Sequence, residues 1–377
     1  MRLKYRLDLS ILIPIIILLI ISLLSISSAQ TLLSNGENYV LKQIIWYIVG
    51  FGVVFMIMSI GNKNLFNFAW ILYIINNFLL LILLIFAKPI NNSKCWFQLP
   101  GIGSFQPSEF MKIILIIILA KMIHDFRENY NNPTCKEEFI FLLKVALIVF
   151  VPSFLTFLEP DTGVVIIYLI ITFVMLFISG IRYRWFLILF GLIGGLLIAI
   201  LTIYFTNPQL FIDIFGTSFF LRIDRLLDWH SKSGYQLENS LSAIGSGGHF
   251  GNGLNKTPIY FPEPQTDFIF AVYASNFGFI GSVCLIILLT VFIVRLVFLS
   301  LNSENNINKY LIAGVIGMLI YQQFQNIGMT IGLLPITGIT LPFISYGGSS
   351  LLSYMIMIGL IFNISNEEVK YRNKKTS

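Results

Sequence analysis

Charge is scarce in this sequence. Only 11% of its 377 residues are Asp, Glu, Lys or Arg, where a soluble domain carries about 25%, and 56% are hydrophobic. So large an apolar stock with so little polar surface excludes a water-soluble enzyme, and equally a disordered chain, which lacks apolar residues. Cysteine is scarcer still. Three residues in all are too few for a disulfide-stapled secreted scaffold, and no Cys-x-x-Cys spacing signals a metal site. The chain also lacks a convincing repeat between its halves, a feature of many transporters. What remains is a helical membrane protein.

A membrane span needs roughly 20 apolar residues. Apolar runs over 9–27, 41–60, 66–86, 108–122, 139–158, 163–180, 186–205, 268–298, 310–329 and 349–364 predict ten transmembrane helices. The first run follows Arg2, Lys4 and Arg6 like a secretory signal, but its length and the runs after it favour a retained span. Beta-barrel strands would be about ten residues of alternating character, which these runs are not. The expected fold is all-α: one polytopic membrane domain over 1–377, with a large extracytoplasmic loop, 206–266, between spans seven and eight. Inner segments hold about twice as many Lys and Arg as outer ones when both termini are cytoplasmic, which sets the orientation. Anionic headgroups account for the net charge of +6 without nucleic acid. Cys95 falls in an outer loop, Cys135 in an inner loop and Cys284 in a span, so no disulfide is expected.

The unusual residues gather in outer segments 88–107, 206–266 and 332–350. A loop as long as 206–266 is functional when it is not disordered, and its aromatics, among them Phe215, Trp229 and Tyr260, predict a folded cap with short interfacial helices. Within it, the glycine-rich run from Ala243 to Gly253, centred on Ser246 and Gly247, either cradles phosphate with free amides or makes a tight turn, with His249 a loop residue. Arg222, Asp224, Arg225 and Asp228 line one helix face. They are either a self-paired solvated surface or, through Arg222 and Arg225, a diphosphate contact. Asp267, where the cap re-enters the membrane, is either a helix cap or a general base for a sugar hydroxyl. Glu109 and Lys112 are three apart near the outer end of a span, an internal ion pair or a ligand-facing couple. Asp161 reads as a helix cap. The stretch 338–350, which contains Ser345, is too polar for lipid and either packs on protein or lines an aqueous cleft.

Four blocks taken in order resemble the SEDS family of shape, elongation, division and sporulation proteins, which includes RodA, FtsW and SpoVE. They are FQPSEFMK at 105–112, NSLSAIGSGG at 239–248, PEPQTDFIFAV at 262–272, and GMTIGLLPITG at 328–338 running on to Ser350. Short termini look closer to RodA. The resemblance covers essentially the whole chain and implies a multi-pass peptidoglycan glycosyltransferase of the bacterial cytoplasmic membrane, which polymerises lipid II on the outer face. It implies Asp267 as the catalytic carboxylate, and a substrate groove involving Lys94, Trp96, Glu109, Lys112, Arg222, Arg225, Ser246, Gly247 and Ser345. Nearby cations or a divalent ion, Mg or Mn, would stabilise the diphosphate leaving group. Trp96 would stack on sugar or line the groove, although an interfacial anchor is an equal reading. A class B penicillin-binding protein that crosslinks the product, and other elongasome or divisome proteins, are the implied partners. Two departures stand out. The family commonly has arginine at the position of Cys95, a phosphate contact that Lys94 would replace, and paired glutamates at Ser275 and Asn276. Rival readings are a lipid II flippase and a non-catalytic scaffold.

Overall fold

The computed structural model describes residues 7–33, 36–87, 94–99, 103–217, 219, 220, 223 and 234–375. Each apolar run lies on one helix. These are α1 (Leu9–Gln30), α2 (Tyr39–Ile60), α3 (Asn62–Phe86), α4 (Pro107–Asn129), α5 (Cys135–Leu158), α6 (Thr162–Ile178), α7 (Tyr183–Thr206), α10 (Ile269–Asn302), α11 (Asn306–Thr330) and α12 (Gly348–Lys375). Two short helices, α8 (Pro208–Phe215) and α9 (Tyr235–Ser246), belong to the long loop. Local chemistry sets the starts. Asp8, Asn38, Asp161, Asn207 and Asn305 each accept a bond from a first-turn amide, and Thr134 with Glu137 forms a reciprocal capping box before α5.

The all-α expectation needs one correction. The segment before α4 contains a hairpin of β1 (Phe97–Leu99) and β2 (Gly103–Phe105), antiparallel with Phe97 opposite Phe105. The two rings stack at 6.5 Å, and Phe105 continues onto Phe110 of α4 at 5.1 Å. Strands this short carry no readable alternation.

Among the described residues seven helices are long and apolar enough to cross a membrane: α1, α2, α3, α5, α7, α10 and α12. Of the other long helices, α4 and α11 are mostly buried, while α6 is apolar, shorter, and exposes Ile166, Leu169 and Phe177. α11 packs on α4, α6 and α10, α4 packs on α3 and α6, and α12 lies along α2. Gly314 of α11 allows a close approach: a Cβ there would sit 2.7 Å from Met175 Sδ on α6, the small-residue packing that brings membrane helices together. Protein surrounds Glu109 and Lys112 on α4 and Gln322 and Asn326 on α11, all buried, so their polarity never meets lipid. α7 is the opposite case. Of its residues only Phe186 and Tyr204 are buried. The chain is a multi-pass helical membrane protein.

Candidate active site

A cavity of about 650 Å³ opens among the ends of α4, α6, α11 and α12, floored by Glu109 and Gln322 and walled by Asp161, Trp96, Tyr346 and Asp267. Asp267 lies in the short segment leading into α10, and its backbone is held from two sides. Asn326 Nδ2 of α11 donates to its carbonyl at 2.8 Å and to that of Ile339 at 2.7 Å. Next to it, Ser345 Oγ donates to the Thr266 carbonyl at 2.7 Å, and the Tyr346 amide to Gln265 at 2.8 Å. Gly338, at φ +70°, turns the opposite strand of chain close by, where a Cβ would lie 3.5 Å from Asp267 Oδ2.

The side chain of Asp267 is left over. The N-cap of α10 is Phe268, with no side-chain capping bond, so the capping role is not taken. Among the described residues no donor bonds its carboxylate. Burial, then the charges of Glu263 and Asp161, push this carboxyl up to about 7. Asp161 does cap its helix, accepting from the Val164 amide at 3.2 Å, and Gln106 Nε2 donates to its other oxygen at 2.8 Å. Its carboxyl is raised to about 6, by burial first and also by Glu109, with the Val164 bond, Lys112 and Gln106 opposing. Below, Lys112 Nζ donates to Glu109 at 2.7 Å and lies 5.4 Å from the centre of the Tyr354 ring.

Residues 5–370 match the sequence model of a family described as cell cycle protein, that of FtsW, RodA and SpoVE. The chain belongs to this family. It is 35% identical to a probable peptidoglycan glycosyltransferase FtsW of Coxiella burnetii, over 93% of this chain and 94% of that one. It is 33% identical to the stage V sporulation protein E of Bacillus subtilis, over 95% and 96%. Among solved structures it resembles a chain from work on the structural coordination of polymerization and crosslinking by a peptidoglycan synthase complex, with TM-score 0.80 and 25% identity over 97% and 99% of the two chains. It also resembles the rod shape determining protein RodA of Thermus thermophilus, with TM-score 0.70 and 26% identity over 97% and 98%.

In this FtsW/RodA/SpoVE chain the cavity gathers Asp267, Trp96 and Glu109 of the expected site residues. Lys112 lies beneath, fully buried and committed to Glu109. The others stand elsewhere. Lys94 is turned away, donating to the Leu84 carbonyl at 3.2 Å, so it does not replace the missing arginine in the cavity. Ser345 is behind the wall, where its hydroxyl also accepts from the Leu341 amide at 2.8 Å and so braces the loop. Ser246 and Gly247 stand apart from the cavity. The run 247–253 packs against the kink of α10 at Gly278, which has φ +67° and ψ −163°. A Cβ on Gly247 would meet the Ala274 carbonyl at 2.5 Å, and the amides of Asn252 and Gly253 are taken by the carbonyls of Ser275 and Asn276 at 2.9 and 3.1 Å. These glycines admit close backbone contact, and Ser246 Oγ accepts from Asn252 Nδ2 at 2.9 Å. Arg222 and Arg225 lie outside the described residues.

The sequence reading missed Gln106, Glu263, Tyr346 and Gln322 as lining residues. Gln106 and Glu263 stand within the motif blocks beside Glu109 and Asp267, which was the available signal, whereas Gln322 carries no motif. Both departures sit in packed places. Cys95 borders the cavity, and its buried thiol donates to the Glu159 carbonyl at 2.9 Å. Ser275 and Asn276 are buried under the glycine run, where Asn276 Oδ1 accepts from Thr257 at 3.1 Å.

Proposed function

We propose that this chain is a peptidoglycan glycosyltransferase that polymerises lipid II on the outer face of a bacterial cytoplasmic membrane, with both termini inside. The carrying observation is the Asp267 carboxyl: the residue lines a cavity, is unused as a cap and has no donor to its carboxylate among the described residues. A carboxyl poised near neutrality suits general-base work. The acceptor's GlcNAc 4-hydroxyl attacks the anomeric carbon of the donor's MurNAc from the side opposite the leaving group. The new C–O bond forms as the bond to undecaprenyl diphosphate breaks, the anomeric centre inverts, and Asp267 takes the hydroxyl proton and later gives it to water. Trp96 offers an aromatic face to a sugar, and Arg222 and Arg225 of loop 206–266 are the expected diphosphate contacts.

Ten crossings follow if α4, α6 and α11 join the seven, α4 and α11 being mostly buried and α6 apolar though short. Among the described residues no three His, Cys, Asp or Glu side chains come together to hold a metal. A divalent ion would therefore draw most of its ligands from substrate phosphates, and no step above is routed through one. The likeness to a chain of a peptidoglycan synthase complex supports a crosslinking partner of the class B penicillin-binding kind.

The test is reconstitution of purified protein with that partner and lipid II. Glycan polymer is expected from the unaltered chain and roughly 10²–10⁴-fold less from Asp267→Asn, which should be no less stable in thermal unfolding. Normal polymerisation by Asp267→Asn would remove the catalytic assignment. Passage of labelled lipid II across vesicles without polymer would make the chain a transporter, and neither activity would leave a scaffold.

A further inference from the structure

Behind the cavity wall, just past the end of α5, Glu159 is fully buried, and neither of its carboxyl oxygens has a hydrogen-bond partner. The Cys95 thiol beside it donates to its backbone carbonyl at 2.9 Å and not to its carboxyl. The other ionisable groups that face it are Asp161 and, on α6, Tyr168, whose hydroxyl donates to the Ser108 carbonyl at 2.8 Å. None of the three is a cation. On a preceding turn of α5, Ser153 also buries a hydroxyl without a partner. A carboxylate so placed has lost its water and gained no compensating charge, a situation so unfavourable that such a group takes up a proton.

We propose that Glu159 is a proton-carrying acid that acts as a positioning residue: its neutral carboxyl lets the 94–96 segment, with Trp96, close on the cavity wall formed by Pro160 and Asp161. The join is visible in the structure. Cys95 bonds the turn that Glu159 begins, and Trp96, Pro160 and Asp161 all line the cavity. Burial, and then the neighbouring Asp161 charge, raise the Glu159 carboxyl to about 9. Loss of the proton in alkali places an unpaired charge against Asp161 and loosens the join. The bearing on catalysis rests on this cavity being the glycosyl-transfer site; the protonation itself does not.

Two measurements on the full-length protein decide it. Infrared spectra at neutral pH should contain the carbonyl stretch of a protonated, buried carboxylic acid that Glu159→Gln lacks. Cys95→Arg, which keeps Glu159 and supplies a cation beside it, should weaken the same band. Thermal unfolding gives the second readout. An acid whose folded value is raised from 4.5 to about 9 stabilises the fold fully below the lower value, and that contribution is lost as pH climbs to the upper one. The unaltered chain should therefore lose stability over this window, and Glu159→Gln should lose less, most clearly above about 7, where Asp161 and Asp267 have finished titrating. Polymerisation should also decline toward the upper value in the unaltered chain and persist there in Glu159→Gln. A band of full strength in both variants, or parallel unfolding profiles for the unaltered chain and Glu159→Gln, would overturn the proposal. Repeating the infrared and unfolding measurements in Asp267→Asn separates the two readings, because the Glu159 signals should survive there whatever becomes of activity.

Discussion

Asp267 owes its chemistry to a division between backbone and side chain. Asn326 and Gly338 fix where its main chain runs, while nothing among the described residues claims its carboxylate. Replacement by asparagine keeps the shape and removes the base, so polymerisation should fall by roughly 10²–10⁴-fold, the usual worth of a general base, when initial rates are measured on lipid II. The pH dependence follows from the same residue. Its carboxyl accepts a proton only when ionised, and with its value raised to about 7 the rate should fall about tenfold per unit below that pH and level off just above it. A profile flat down to pH 5 would remove Asp267 from the step.

At the scale of one element, α4 carries its charge as a pair within a single turn. Lys112 is fully buried and bonds Glu109 at 2.7 Å. Lys112→Met leaves a buried carboxylate alone and should cost about 3–5 kcal/mol, seen as a lower unfolding midpoint in detergent. Adding Glu109→Leu should recover much of that loss, because the stranded charge goes with it. In the loop that packs on α10, Gly251 has φ +85°, and a Cβ would come within 2.0 Å of the Asn276 carbonyl. Gly251→Ala should therefore destabilise by more than about 1 kcal/mol and loosen the kink at Gly278, measured by amide exchange across 275–280.

Across the whole molecule, the two ends of the bundle are held differently. At one end Arg295 of α10 bonds Asp8 at 2.8 Å, and Asp8 also accepts from Ser365 of α12 at 2.8 Å, tying three helices together. At the other end the cavity stands open. If both termini are cytoplasmic, a membrane-impermeant maleimide should label Cys135, which is exposed, in inside-out vesicles and leave it unlabelled in right-side-out ones. Cys95, buried against Glu159, should react slowly from either side. Labelling of Cys135 from outside would invert the proposed orientation and place the cavity at the inner leaflet.

Every apolar run was legible because period and length in a membrane protein answer to the lipid, a solvent the sequence meets residue by residue. The motif blocks likewise pointed to Asp267 and Glu109, and the family resemblance to Trp96, without any contact being known. Tertiary structure alone decided which role each polar residue takes. Asp161 and Asp267 both precede a helix, and only the fold reveals that the first caps its helix and the second does not. The glycines near Ser246 suit a phosphate cradle and a close helix contact equally well until α10 is seen against them. Glu159 drew no notice in the sequence, because desolvation is a property of neighbours brought together from distant parts of the chain, and no local pattern records it.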